Sequence, residues 1–318
     1  MPLPKLFNSY PKIKEIHISD RLFFHILQIL ALLVLAAFAA LVLLIFLESI
    51  PALKKFGVSF FFNPEWDSWK EDFGALAMVW GTFISSILAL LIAVPISIGV
   101  ALFLNELAPV WLAKPLNFCL EMLAAIPSIV YGLWGLFVLA PIIRSPIQEF
   151  LGKYFSFLPF FKGPQYGIGM MSAAVVLAIM IIPTISSICK EVFRSIPSSH
   201  KEAVLGIGAT KWEMLKTAVL TGGRAGIIGA CIMGLGRALG ETMAVTMVIG
   251  NKPSLSLSLF EPAQTMASIL ANQYAEADSA LHLSSLTAVA LALFIISLIV
   301  NSSSFILVWN TQKKFSRG

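Results

Sequence analysis

The stretch LFFHILQILALLVLAAFAALVLLIFL, residues 22–47, contains no Asp, Glu, Lys or Arg. A bilayer hydrocarbon core about 30 Å thick is crossed by roughly 20 apolar helical residues, so this run is long enough to span it. It also far exceeds the roughly 7–15 apolar residues of a secretory signal, so it is expected to stay in the mature chain. Five further windows repeat the pattern, giving spans at about 23–47, 76–104, 119–143, 168–189, 225–249 and 284–308. Across the 318 residues, 58% are hydrophobic and 12% charged, where a soluble domain carries about a quarter charged. Spanning backbone must satisfy its own N–H and C=O groups, and the alternating pattern of a membrane β-barrel is absent. The expected fold is therefore all-α: one polytopic membrane domain over 1–318 with six transmembrane helices.

The basic residues orient it. With the N-terminus inside, Lys5, Lys12, Lys14, Arg21, Lys114, Lys190, Arg194, Lys201, Lys211, Lys216, Arg224, Lys313, Lys314 and Arg317 lie on the inner side. Lys54, Lys55, Lys70, Arg144, Lys153, Lys162 and Lys252 lie outside, half as many. The positive-inside bias thus predicts both termini in the cytoplasm. The net charge of +5 comes without any basic stripe interleaved with aromatics, so nucleic acid is not an expected partner; membrane lipid is. Cys119, Cys189 and Cys231 all fall in or beside spans, which excludes a disulfide framework in the loops. There is no Gly-x-x-x-x-Gly-Lys-[Ser/Thr] phosphate loop, no dinucleotide fingerprint, no His-Glu-x-x-His and no Gly-x-Ser-x-Gly. His17, His25, His200 and His282 are scattered, so no metal site and no catalytic centre is predicted.

Three loops are long. Loop 48–75 is aromatic and acidic (Phe60, Phe61, Phe62, Trp66, Asp67, Trp69, Glu71, Asp72) and reads either as an interfacial anchor or as a docking surface outside. Loop 144–167, rich in Pro, Phe and Gly, is expected along the outer interface, and loop 250–283, with Asn272, Gln273, Tyr274, Glu276 and Asp278, as solvated surface. The inner loop 190–224 opens on Pro197-Ser198-Ser199, a helix start with Ser199 as a candidate N-cap. A short helix should follow with Ala203, Val204 and Ile207 on one side, interrupted by Gly206 and Gly208, and a second around 212–220. Such a pair suits either protein docking or a membrane surface.

In the fifth span, Arg237 and Glu241 break an apolar window. An isolated charge at mid-membrane costs about 2.5–3.5 kcal/mol on translocon scales, so both should meet a partner or a wet cavity. Their i, i+4 spacing places them on one helix face, where they can pair. The forked guanidinium of Arg also matches the oxygens of a tetrahedral anion. A structural ion pair and a pathway site are both consistent with this. Small residues at 222, 226, 230, 234, 238 and 242 allow close helix approach, for sliding or for tight packing. Pro95, Pro127 and Pro183 are expected to kink their spans, and Ser128 and Tyr131 beside Pro127 suit either a pathway lining or a core.

Glu202-Ala203-Val204 with Gly208 resembles the EAA–xxx–G signature of importer-type ABC permeases, and its tail is matched in part by Ala218, Leu220 and Thr221. Residues 125–141 (AIPSIVYGLWGLFVLAP) and 234–245 (GLGRALGETMAV) resemble the third and fifth spans of the C-type permease of phosphate-specific transport. The resemblance implies the importer permease fold and a chain forming half of a phosphate pathway in a bacterial inner membrane. It implies Arg237, Glu241, Thr242, Ser128 and Tyr131 as pathway residues, and Glu202, Ala203, Val204 and Gly208 as the contact to an ATPase. The implied partners are an A-type sister permease, an ATPase dimer that alone binds ATP, and an external phosphate-binding protein; the chain needs no cofactor of its own. The alternatives are an ABC permease for sulfate or molybdate and an ion-coupled secondary transporter. Inverted repeats and broken helices in matching halves would favour the latter, and the sequence shows no convincing half-to-half symmetry.

Overall fold

A computed structural model describes residues 18–315, and the side chains of residues 22–303. Lys5, Lys12, Lys14, His17 and Arg317, read above as parts of the two tails, lie outside the described residues. The chain divides into two units, 1–47 and 48–318. The first holds the leading part of helix α1 (Ile18–Phe56), whose side chains from Leu22 to Leu47 are exposed at all but Val42 and Ile45. Apolar surface on that scale belongs in lipid.

The second unit carries the rest of the fold. A two-residue antiparallel hairpin pairs β1 (Trp66–Asp67) with β2 (Asp72–Phe73). Then come α2 (Leu76–Leu102), closed by a π turn at Phe103–Leu107, and α3 (Val110–Ala125). The next span is assembled from α4 (Ser128–Trp134), α5 (Ala140–Ile142) and α6 (Glu149–Tyr154), joined by π turns at Gly135–Leu139 and Ile143–Gln148. Pro141 and Pro146 lie in this stretch, and their missing amides interrupt the i→i−4 ladder there. Helices α7 (Met170–Arg194) and α8 (Ser198–Gly206) follow. Helix α9 (Lys211–Met214) runs through a π turn at Leu215–Leu220 into α10 (Thr221–Gly240). The remainder is α11 (Met243–Val248), α12 (Met266–Gln273) and α13 (Ala280–Phe315). Among the described residues six helices are long and apolar enough to cross a membrane: Leu22–Phe61, Leu76–Leu107, Ser128–Tyr154, Met170–Arg194, Lys211–Gly240 and Ala280–Ser303.

Two spans differ from the hydropathy windows. The window 119–143 is divided at Ile126-Pro127, whose extended backbone (ψ 128° and 139°) ends α3 and starts α4. Pro127 therefore begins a helix instead of kinking one, because its ring excludes a preceding helical residue while suiting a helix start. The span moves to 128–154 and absorbs the first part of loop 144–167. The window 225–249 is broken after Gly240. Pro95 and Pro183 lie inside α2 and α7.

Two buried clusters hold this unit together. One joins Ala89 and Ala93 of α2 to Leu177, Ile181 and Ile185 of α7, Ala230 of α10 and Val245 of α11. The other corrects two loop expectations. Phe60 and Phe73, from the aromatic loop 48–75, are fully buried with Met78, Met266, Ile269, Leu286 and Val289, while Phe62 and Trp69 stay exposed. The middle of loop 250–283 is also interior: residues 263–269, with Met266, Ala267 and Ser268 of α12, are buried, while Lys252 before it and Tyr274, Glu276 and Asp278 after it are exposed. Trp66 Nε1 donates to Gln273 Oε1 at 2.9 Å, so hairpin and α12 close over one another.

The approach of α2 to the segment before α12 depends on Gly81, where an added Cβ would stand 2.1 Å from the Gln264 carbonyl oxygen. Backbone cannot swing aside as a side chain can. Gly81→Ala is expected to destabilise the protein by about 2–3 kcal/mol, the upper range for overpacking. Gly99→Ala, on the same helix with no atom within 4 Å of the new Cβ, is the control. Equal melting temperatures for the two purified variants would refute the close approach.

Candidate functional site

Arg237 sits one turn before the end of α10, on the exposed side of the chain, and its Nη1 donates to Thr184 Oγ1 at 2.8 Å. Thr184 follows Pro183 in α7. The expected pairing of Arg237 with Glu241 on one helical face is corrected. Glu241 has left the helix (φ −70°, ψ 125°), and its Oε1 accepts the Ala244 N–H at 3.3 Å. Among the described residues no ion pair joins Arg237 to Glu241. Physical chemistry favours this arrangement: Gly240 is a poor helix former, and a carboxylate at the start of α11 meets unsatisfied amides and the positive end of the helix dipole. Thr242 completes the break; its carbonyl accepts Thr246 Oγ1 at 2.7 Å and the Thr246 N–H at 2.9 Å.

The third span has the matching feature. Tyr131, buried in α4, donates its hydroxyl to the Leu123 carbonyl at 2.8 Å, stitching together the two sides of the 126–127 break. That carbonyl lies in the last turn of α3, whose acceptors have no helical partner. Ser128 opens α4 and is half-buried. The short helices behind both breaks pack together: a Cβ on Gly132 would come within 3.1 Å of Ala244 Cα, and one on Gly135 within 2.8 Å of Val248. A cavity of about 300 Å³, lined by Leu123, Ile126, Val130, Tyr131, Trp134 and Ile179, opens beside the break in the third span. Glu241 and Thr242 thus form the break that follows α10, and Tyr131 bridges the break that precedes α4. Thr184 was missed by sequence reasoning; the only signal was Pro183 before it.

The small-residue stripe of α10 packs tightly on α7. A Cβ at Gly226 would stand 2.3 Å from Val192 Cγ2, and one at Gly234 2.6 Å from Ile185 Cδ1. Thr242, counted as the last of the stripe, lies beyond the helix.

Helix α8 carries the second group. It starts at Ser198 after Pro197, so Ser199 is inside the helix and is not its N-cap. Glu202 and Ala203 are exposed, and Val204 packs against the core. Ile207, expected beside Val204, is 86% exposed, because the helix ends at Gly206 and the chain turns away. Gly208 makes that turn at φ +91°, a conformation that favours glycine. Thr210 and Glu213 then form a capping box that starts α9. Leu205, Ile207 and Trp212 are exposed around this turn.

A family model described as binding-protein-dependent transport system inner membrane component matches residues 93–315. Together with the six spans, the match defines an inner-membrane component of binding-protein-dependent transport. The phosphate transport system permease protein PstC of Mesorhizobium japonicum is 45% identical over 292 residues, covering 91% of this chain and 89% of that one. PstC of Pasteurella multocida is 47% identical, with 84% of each chain covered. The probable PstC of Methanocaldococcus jannaschii is 39% identical over 80% of this chain and 83% of its own. The chain belongs to the PstC family of phosphate transport system permeases.

Among solved structures, the fold is similar to that of a bacterial alginate ABC transporter in complex with alginate pentasaccharide-bound periplasmic protein. That match has a TM-score of 0.59 at 16% identity and covers 90% of this chain and 94% of that one. The inward-facing MetNI methionine ABC transporter matches with a TM-score of 0.54 at 16% identity, over 73% of this chain and 94% of the other. At that identity the shared property is the fold. The two helix breaks suit an ion-coupled carrier as well, but the family membership favours the importer.

Proposed function

We propose that this chain is the permease subunit of an ATP-driven importer of inorganic phosphate and supplies half of its translocation pathway. The observation that supports a pathway role is Arg237: a cation in a membrane-spanning helix, on an exposed face, with Thr184 taking one of its five N–H donors. Such a charge facing lipid would cost about 2.5–3.5 kcal/mol, so that face is covered by a partner or by water. A sister permease of the A type placed there would enclose the guanidinium in a wet cavity between the two chains. Glu241, Thr242, Ser128 and Tyr131 line the same region, with the two breaks offering backbone polar groups to a passing anion.

The exposed turn at α8–α9, with Glu202, Ala203, Val204 and Gly208, is the proposed contact to a separate ATPase dimer. Leu205, Ile207 and Trp212 give it apolar anchors. ATP binding and hydrolysis then belong to that partner, this chain holds no cofactor, and an external binding protein delivers phosphate. In this reading α8 and both termini are cytoplasmic, as the basic residues predict. The test is ATP-driven uptake by the reconstituted complex with phosphate, arsenate, sulfate and molybdate in competition. Phosphate should be carried and arsenate should compete. Equal competition by sulfate or molybdate would reassign the anion, and uptake that needs an ion gradient without ATP would overturn the importer.

A further inference from the structure

Helix α8 is tied to the membrane helices by an ion pair that the proposed ATPase contact does not use. Lys201 Nζ meets Glu106 Oε1, with the two side chains only 19% and 9% exposed. Asn105 Nδ2 donates to the same carboxylate oxygen at 2.7 Å. Glu106 lies in the π turn Phe103–Leu107 that closes α2, so an irregular turn presents it sideways to α8. Lys201 immediately precedes exposed Glu202, and Val204, one turn on, is the other α8 side chain packed on the membrane helices.

The helix held by Glu106 leads to the site. Further along α2, the Ser97 hydroxyl donates to the Ile182 carbonyl of α7 at 3.3 Å. Ile182 is two residues before Thr184, whose hydroxyl accepts from Arg237. Three polar contacts, Lys201 to Glu106, Ser97 to Ile182 and Thr184 to Arg237, thus link α8 to the guanidinium through the intervening stretches of α2 and α7. Lys190 of α7, by contrast, is tied to Asn117 of α3 at 2.8 Å.

We infer that Glu106 and Lys201 are positioning residues that transmit displacement of α8 into α2 and so couple ATP hydrolysis to the Arg237 site. This rests on the importer reading above. A paired, nearly buried charge couple is suited to the task, because separating the partners strands both charges while rigid movement of the pair does not. A merely structural role would fix α8 in place and leave the stoichiometry of transport unchanged.

The experiment uses the complete reconstituted complex and measures phosphate taken up per ATP hydrolysed, with ATPase association as a second readout. Glu106→Gln and Lys201→Met should retain the ATPase and its hydrolysis yet lower the uptake-to-hydrolysis ratio about tenfold, within the range of measured coupling energies. Glu106→Asp, which keeps the charge but retracts it, should lower the ratio less. The swap Glu106→Lys with Lys201→Glu should restore the ratio to near wild type. Single variants with an unchanged ratio would overturn the inference. So would a swap that restores assembly but leaves the ratio as low as in the single variants. A wild-type complex that takes up no phosphate with ATP would instead refute the importer reading itself.

Discussion

Replacing Arg237 with Gln is expected to abolish phosphate uptake while the complex still assembles and keeps its melting temperature. The guanidinium can offer two parallel N–H donors to one anion, and each charge-assisted bond is worth about 1.5–3 kcal/mol. Losing two of them predicts a drop of two orders of magnitude or more in uptake. Folding should be spared, because Arg237 is exposed and, among the described residues, its one hydrogen bond is to a neutral hydroxyl, Thr184. The Gln amide can still donate to it. No carboxylate is stranded either, since Glu241 is engaged at the start of α11. Arg237→Lys keeps the charge without the fork and should recover uptake in part. A structural ion pair predicts a different pattern: each single variant would lose several kcal/mol of stability, and Arg237→Gln with Glu241→Gln would regain both stability and uptake. The geometry predicts no such rescue. Uptake at the wild-type rate in a stable Arg237→Gln complex would end the pathway assignment.

That geometry could not be obtained from spacing. Arg237 and Glu241 share a face only if the helix between them continues, and the break after Gly240 is two residues long in a window that stays apolar on both sides. Hydropathy averages over about twenty residues and passes straight across it. The third span shows the same blindness in another form. The stretch from Ile142 to Tyr154 carries Arg144, Glu149 and Lys153, so hydropathy ends the span at 143, whereas the helical segments run on to Tyr154. Six spans were legible because each needs only a local run of apolar residues. The placement of Phe60 and Phe73 was not, because it depends on partners such as Met266 and Leu286 that lie some two hundred residues away. The helix signals at Pro197 and Gly208 were local, and there the structure places a start and a glycine turn. Ile207 was misassigned because the helix it would have continued stops one residue earlier.

Gly208 gives the other large expected effect, and its surroundings let conformation and charge be separated. Its φ of +91° disfavours side chains, while an added Cβ would meet no atom within 4 Å. A substitution there therefore carries a backbone cost of about 1–2 kcal/mol but no collision inside this chain. Membrane insertion should survive it. Asn and Asp are nearly equal in size, and both tolerate positive φ better than other residues. They differ in charge, and the charge would sit beside exposed Leu205, Ile207 and Trp212. In a docked complex that turn is covered, so an unpaired carboxylate would be desolvated at a cost of several kcal/mol. Gly208→Asp should then reduce ATPase copurification and uptake by at least about a hundredfold, the factor that 2.7 kcal/mol represents. Gly208→Asn should retain most of both, and Gly208→Ala should fall between them through backbone strain alone. If the Asp variant copurifies with the ATPase and transports like wild type, the docking surface lies elsewhere than Glu202 to Gly208. If Asn and Asp fail equally, the defect is conformational and the turn is needed for its shape, not for an apolar contact.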